Sequence, residues 1–294
     1  LPQYRCAETA GMTITGFDAL VCPLDGDRLQ RHDASWRCSA GHNFDIARQG
    51  YVHLLPVQNK RSRDPGDSRE MVAARTRFLQ AGFYQALAAA VARAALEDLP
   101  ADAPASCLDA GCGEGYYLRQ LAVAARFGQP LALLGLDISK WAVLAAARAD
   151  PRPTWVVASN ARLPVPAQSM DRVLCLFGFP AYPEFARVLK PGGRLLLLDP
   201  GPAHLQELRE LIYPELKPVN LEPTPVPEGF RRLREESITY PLVLQDEQAI
   251  TDLLAMTPHL YRAGVAGRAR VQALTRLALT VDARLSHLVL ESRS

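Results

Sequence analysis

Cys107-Leu108-Asp109-Ala110-Gly111-Cys112-Gly113-Glu114-Gly115-Tyr116-Tyr117 decides the fold class. The apolar residues 106–108 read as a buried strand that ends in Asp109, and a helix is expected from about Glu114 to Ala125. Gly111, Gly113 and Gly115 let the intervening backbone turn sharply with no Cβ in the way of a ligand. Strand, glycine turn and helix in that order form a nucleotide site at the carboxyl edge of a parallel sheet. The spacing is G-x-G-x-G, and Tyr116 stands where the dinucleotide fingerprint has its third glycine. No Lys-Ser/Thr pair follows to hold a triphosphate. A ligand with adenine, ribose and an amino-acid tail but no phosphates fits best, which is S-adenosylmethionine. A merely tight structural turn is the alternative.

Leu131-Ala132-Leu133-Leu134-Gly135-Leu136 is apolar throughout and ends at Asp137. An acidic residue at that strand end can accept hydrogen bonds from both ribose hydroxyls; alternatively it caps the helix that begins near Ser139. Leu189-Lys190-Pro191-Gly192-Gly193-Arg194 then reads as a helix end and turn before the buried strand 195–198. These three features together resemble the class I methyltransferases over residues 105–200. The resemblance implies an α/β, Rossmann-like, mostly parallel seven-stranded sheet over residues 105–294.

The 294 residues suffice for one large domain or two small ones, and 48% hydrophobic content supports a sizeable core. No apolar run reaches the roughly 18–20 residues that span a bilayer. Residues 1–20 lack a charged start followed by a long apolar run, and six scattered cysteines do not form a secreted disulfide framework. A cytoplasmic protein is expected. The net charge of +2 does not announce a polyanionic partner. Local patches do: residues 58–80 carry Lys60, Arg61, Arg63, Arg69, Arg75 and Arg77 against Asp64, Asp67 and Glu70. Residues 262–294 carry six arginines against Asp282 and Glu291.

Residues 1–17 read as a loosely ordered extension. Residues 18–57 read as a small zinc-ribbon-like module: Cys22-Pro23-Leu24-Asp25 and Cys38-Ser39-Ala40-Gly41-His42 form two knuckles of the kind structural zinc requires. Some forty residues do not build a self-sufficient core, so a metal would fix the fold. Asp25 stands where a thiolate would be the softer ligand. A ribbon without metal and a reduced cysteine pair are the alternatives, and Cys6 and His32 are off-spacing substitutes. Alternating apolar positions over residues 43–58 suggest a strand pair closing the module. Residues 60–68, Lys-Arg-Ser-Arg-Asp-Pro-Gly-Asp-Ser, read as an exposed basic loop with a Pro-Gly turn. Helical periodicity runs over residues 68–97 and breaks at Gly82. Residues 58–104 thus form a loop and linking helices.

C-P-x-D, C-x3-H, F-D-x-A-x-x-G-Y-V-x-L-L, K-R-S-R-D-P-G-D and L-D-x-G-C-G-E-G-Y-Y occur in that order. Together they resemble the bacterial 23S rRNA guanine-N1 methyltransferases of the RlmA type, over about residues 20–260. The resemblance implies zinc at Cys22, Asp25, Cys38 and His42, and cofactor contacts from Tyr84 of F-L-x-A-G-x-Y and His204 of P-G-P-x-H-L. Class I enzymes place adenine contacts where Asn160, Ala161 and Leu163 stand. Phe177-Gly178-Phe179-Pro180 ends strand four on the side of the transferable methyl, where aromatics suit a splayed base; plain core packing is the alternative. The family also implies a homodimer gripping an rRNA hairpin; neither membrane nor DNA is an expected partner.

The expected reaction is methyl transfer to N1 of a guanine in hairpin 35 of 23S rRNA. K-R-S-R-D-P-G-D resembles the Gram-negative branch, which favours a position of the 745 type over the 748 type. Guanine N1 carries a proton, so a base or stabilisation of O6 charge is required. Asp199, Asp64 and Asp67 are the candidates. A small-molecule methyltransferase and a catalytically silent RNA-binding adaptor are the competing readings. Residues 214–229, rich in proline and charge, read as a mobile loop beside the site.

Overall fold

Four segments are apolar on both faces, which suits strands buried between two layers. They are β6 (Ala105–Ala110), β7 (Leu131–Asp137), β9 (Met170–Leu176) and β10 (Leu189–Pro200). In the computed structural model they form the centre of one sheet. The structure describes residues 14–59, 62, 64–99, 103–125, 130–213, 215, 225–257, 259 and 264–291. The expectations for Cys6, for Lys60, Arg61 and Arg63, and for most of residues 214–224 lie outside them.

Also in the sheet are β1 (Ile14–Gly16), β5 (Tyr51–His53), β8 (Thr154–Val157), β11 (Phe230–Leu244) and β12 (Leu277–Leu290). The order is β11-β12-β10-β9-β6-β7-β8-β5, with β1 also on β7. Strands β6 to β10 are mutually parallel, and β12 and β11 close one side antiparallel. These are the seven strands expected of the class. Two short N-terminal strands extend the sheet to nine.

Both additions depart from the sequence reading. Residues 14–16, expected within a loose extension, pair parallel with Leu131, Ala132 and Leu133. β1 and β8 share one edge of β7 end to end; a Cβ on Gly16 would lie 2.5 Å from Thr154 Oγ1. β5 does not close the small module with its neighbour. It pairs parallel with β8 from Tyr51↔Trp155 to His53↔Val157, leaving one bridge, Ile46↔Val52, back to the module. Tyr51 and Val52 are both buried, so the segment gains more from the open edge of a two-sided sheet than from a three-residue hairpin. The small sheet is β2 (Gln30–His32), β3 (Ser35–Arg37) and β4 (Asn43–Asp45), all antiparallel.

One face of the large sheet packs on α1 (Arg69–Gln80), α2 (Gln85–Leu96), α3 (Tyr116–Ala124), α4 (Lys140–Ala149), α6 (Gln206–Ile212) and α7 (Glu247–Met256). Side-chain oxygens cap three of them: Ser68 accepts from Met71 N–H, Ser139 from Ala142 N–H and Asp246 from Ala249 N–H. A final helix, α8 (Val265–Gln272), contacts α6 and α7. The other face is covered differently. Among the described residues, α5 (Tyr182–Val188) is the one helix that contributes buried side chains there, and the N-terminal ribbon supplies most of the remaining cover. Phe17, Leu20, Cys22, Leu29, Trp36 and Cys38 pack in one cluster with Leu108, Leu134, Val156, Leu163 and Val173.

Trp155 of β8 is 1% exposed, and its indole N–H donates to Asp150 O at 2.7 Å. Its ring fills space that only glycine leaves: Cβ atoms on Gly115 and Gly135 would lie 2.5 and 2.1 Å from it. Gly135→Ala should therefore destabilise the protein by about 1–3 kcal/mol in thermal denaturation. Adding Trp155→Leu should recover part of that loss; a purely additive double mutant would contradict the contact.

Candidate functional site

The parallel strands all end at one edge. The glycine loop follows β6 there, with φ of +97° at Gly111, +54° at Gly113 and +80° at Gly115. L side chains rarely adopt such angles. The N–H groups of Gly111 and Cys112 both donate to Leu136 O, at 2.8 and 2.9 Å, so the loop hangs from the end of β7. Gly113 N–H donates to Asp137 Oδ2 at 2.9 Å, and Ser139 N–H donates to Asp137 Oδ1 at 2.8 Å. Asp137 thus joins the glycine loop to the start of α4, and each of its oxygens can accept a further hydrogen bond. Burial raises its pKa, and these two amide bonds oppose the shift.

Asp109 has no such support. It is 1% exposed, and neither carboxylate oxygen has a hydrogen-bond partner among the described residues. Burial, and then the charge of Asp137, push it up to about 8. An unpaired buried carboxylate is costly, and a cation brought to it removes the cost. The orphaned oxygens therefore fit the ammonium of an amino-acid tail. Above Gly111 a Cβ would meet only Asn160 Nδ2, at 3.9 Å, which leaves the space beside the loop open.

Tyr84 and His204, 120 residues apart, are brought together with 3.4 Å between Oη and Nε2. His204 Nδ1 accepts from Asp282 N–H at 3.3 Å, which places its proton on Nε2. Burial pushes its pKa down to about 4, so the ring is neutral at pH 7. It stacks on Phe177, with centroids 5.6 Å apart. Tyr84 is buried edge-on against Phe78, and burial raises its hydroxyl. Phe177 takes a left-handed φ of +52°, and Phe179 is 94% exposed at the same strand end.

Asn160 donates to Ala110 O at 3.3 Å, fixing the loop after β8 to the end of β6. Ala161 lies exposed beside it. Leu163 turns the other way, 2% exposed in the core shared with the ribbon. Tyr116 faces α2, where its hydroxyl donates to Gln85 Oε1 at 3.2 Å.

The basic segment is tied down where it is described. Trp141 Nε1 donates to Asp64 Oδ2 at 2.7 Å, and Ser139 Oγ to Asp67 O at 2.7 Å. Gly66 packs against Ile138 and Ser139, and Arg69 lies 4.4 Å over the Trp141 ring. Asp67 is ion-paired with Arg75, whose guanidinium also donates to Met256 O at 3.3 Å and sits 3.6 Å from where a Gly113 Cβ would be. Residues 64–68 are thus a strap across the β7–α4 junction and depart from the free solvated loop expected. The sequence reading has Arg75 only as part of the basic patch and passes over Trp141, because nothing local links either to Asp64 and Asp67. Of the three candidate bases, Asp64 and Asp67 are held by these partners. Asp199 is half-buried with no hydrogen bond to its carboxylate among the described residues, and burial followed by Glu235's charge raises its pKa.

Cys22, Asp25, Cys38 and His42 converge, their ligand atoms all within 4.8 Å of one another. Cys22 and Cys38 Sγ lie 3.6 and 3.3 Å from His42 Nδ1, and Asp25 Oδ2 lies 2.8 Å from it. Tetrahedral zinc, with about 2.3 Å to sulfur and about 2.0 Å to nitrogen, sets S···N separations near about 3.5 Å. Two thiols, one imidazole and one carboxylate therefore fit zinc in number and spacing. Burial pushes the Cys22 thiol up to about 11, a cost that a bound cation reverses.

The isolation of Asp109 has a measurable sign. An acid whose pKa rises on folding takes up protons, so stability falls as pH rises from about 4 toward 8. Asp109→Asn should make the free protein more stable at pH 8 than the parent, with the difference vanishing near pH 4, in paired thermal melts. The same substitution should weaken S-adenosylhomocysteine binding at least tenfold by calorimetry.

A family model for the RlmA N-terminal zinc ribbon matches residues 20–63, and one for a methyltransferase domain matches residues 108–197. A protein of Micromonospora griseorubida bearing the name of a 23S rRNA (guanine-N1)-methyltransferase is 41% identical over 207 residues, 64% of this chain and 68% of its own. The 23S rRNA (guanine(748)-N1)-methyltransferase of Streptomyces fradiae is 40% identical over 190 residues, 64% of this chain and 66% of its own. YxjB of Bacillus subtilis, named for the same reaction, is 32% identical over 273 residues, 90% of this chain and 95% of its own. The alignments thus span about two thirds of the first two relatives and nearly all of the third. With a ribbon knuckle set, a glycine loop hung from β7 and this extent of identity, the chain belongs to the family of S-adenosylmethionine-dependent 23S rRNA (guanine-N1)-methyltransferases that carry an RlmA-type zinc ribbon.

Proposed function

We propose that this protein methylates N1 of a guanine in hairpin 35 of 23S rRNA. The observation that carries the cofactor half is the pair of carboxylates at successive strand ends: Asp109 buried with no hydrogen-bond partner among the described residues, and Asp137 half-buried with one backbone N–H on each oxygen. Asp109 takes the ammonium of the methionine tail, Asp137 the ribose hydroxyls, and Asn160 with Ala161 the adenine. Gly111, Gly113 and Gly115 let the backbone approach between them. S-adenosylmethionine supplies an electrophilic methyl group on a sulfonium. Tyr84, His204 and Phe177 wall the space where that methyl meets its acceptor. Most of the rate enhancement comes from holding donor and acceptor in line.

Guanine N1 must lose its proton as its bond to the methyl carbon forms and the carbon–sulfur bond breaks. Asp199, at the end of β10 with a raised pKa and no competing hydrogen bond among the described residues, receives it. Exposed Phe179 stacks on the splayed guanine. Zinc at Cys22, Asp25, Cys38 and His42 holds the ribbon, which with residues 58–68 grips the hairpin through phosphates and shape. A homodimer with a cleft between subunits, acting in the cytoplasm, fits this substrate. The motif K-R-S-R-D-P-G-D points to the 745 type. A relative 40% identical over 190 residues is designated 748, but the motif is the more specific signal and the 745 type is the position we expect.

Asp199→Asn should lower kcat by about 10²–10⁴-fold and leave cofactor affinity unchanged. In the parent the rate should rise with pH as Asp199 ionises. Phe179→Ala should raise KM for rRNA by about tenfold or more without changing S-adenosylhomocysteine binding. Primer extension on unmodified 23S rRNA incubated with the protein and S-adenosylmethionine tests the whole reading, because N1 methylation blocks the Watson–Crick edge. A cofactor-dependent stop in hairpin 35 is expected, and its position distinguishes 748 from 745. Cofactor binding with no stop would overturn the rRNA assignment.

A further inference from the structure

The loop that follows β8 is gripped by the ribbon at both ends. At its entry, β5 pairs with β8 and Leu54 N–H donates to Val157 O at 2.9 Å. At its exit, Val21 N–H donates to Pro164 O at 3.0 Å. Val21 immediately precedes the ligand Cys22. The first knuckle closes on itself through Cys22 N–H to Asp27 O at 2.8 Å and Gly26 N–H to Cys22 O at 2.9 Å. Its residues Val21, Cys22, Pro23 and Gly26 form one wall of a cleft whose other wall is residues 162–167. Leu163 and Val165, at 2% and 0% exposed, share a core with Cys22 and Cys38, at 1% and 8%. From the far side α5 clamps the same loop: Glu184 accepts from Leu163 N–H at 2.7 Å, and Arg187 donates to Leu163 O and Val165 O.

We infer that the metal-bound first knuckle is a positioning element for the cofactor, because it holds residues 159–164 in place from the face opposite the ligand. The inference rests on the reading that Asn160 and Ala161 take the adenine. The ribbon has three-residue strands and little core of its own, so its order depends on what the four ligands hold together. Released from metal, the knuckle loses its reason to present Val21 to Pro164, and the apolar wall behind Leu163 loosens. The loop must then be ordered at the expense of binding energy, and affinity falls without any change at the glycine loop. Metal and cofactor are thereby coupled, and each strengthens the other's binding.

The test uses the full chain with the ribbon loaded with zinc and then stripped by a chelator. S-adenosylhomocysteine binding is followed by calorimetry and amide exchange by mass spectrometry. Stripping should weaken S-adenosylhomocysteine about tenfold, within the usual range of coupling between sites. It should raise exchange in residues 159–166 and leave residues 105–115 protected, and restored zinc should reverse both effects. Asp25→Cys, with a third thiolate, should keep both metal and cofactor affinity at chelator concentrations that strip the parent. Unchanged affinity in a protein shown to have lost its zinc would overturn the coupling, as would exchange rising equally in β6 and β7. Failure of the zinc-loaded protein to bind S-adenosylhomocysteine would instead overturn the cofactor reading, and the coupling with it.

Discussion

Strands that are apolar on both sides must be taken out of water on both sides, and this sheet meets that constraint unequally. Among the described residues helices cover one face, while the other has α5 and a ribbon of about forty residues. Leu20, Leu29 and Trp36 fill the role that helices fill elsewhere in such sheets, against Leu108, Leu134 and Val156. The ribbon is therefore a structural layer as well as the carrier of the four clustered ligand groups. Removing it would expose a core face, and loosening it reaches the loop beyond β8 directly.

The electrostatics of the strand-end edge follow from the same burial. Asp109, Asp137 and Asp199 all stand where the strands end, and desolvation raises each of them. Their support differs in a graded way. Among the described residues Asp137 accepts two backbone N–H bonds and Asp109 accepts none, and Asp199 is only half-buried. Three carboxylates of one chemistry are thereby suited to hold ribose, ammonium and proton. Asp282 completes the edge. It accepts from Ala203 N–H at 2.9 Å and Thr239 Oγ1 at 3.0 Å, and its own N–H fixes the His204 ring.

The seven-stranded sheet and the four-ligand set came with the family resemblance, whereas the strand–glycine–helix unit, the position of Asp137 and the two knuckles were legible in the chain itself. They were legible because each is short-range or has a spacing set by backbone geometry. The expectation for residues 43–58 went half astray because a strand's partner is chosen by which edge is open and which face is dry, and neither is a local property. The strap at residues 64–68 was misread for the same reason. A charged Pro-Gly segment looks solvated until Trp141, Ser139 and Arg75, from other elements, supply its bonds.

The amino-acid sequence by itself determined the local conformations: apolar runs for strands, left-handed glycines for the loop, Ser68, Ser139 and Asp246 for helix starts, and thiol, carboxylate and imidazole at knuckle spacing. Only the tertiary structure decided that Asp109 is buried with no hydrogen-bond partner among the described residues, that Tyr84 meets His204, and that the ribbon grips the loop after β8 at both ends. Those facts depend on how far each group lies from water and from residues tens to more than a hundred positions away. Desolvation and long-range contact arise only when the chain has closed on itself.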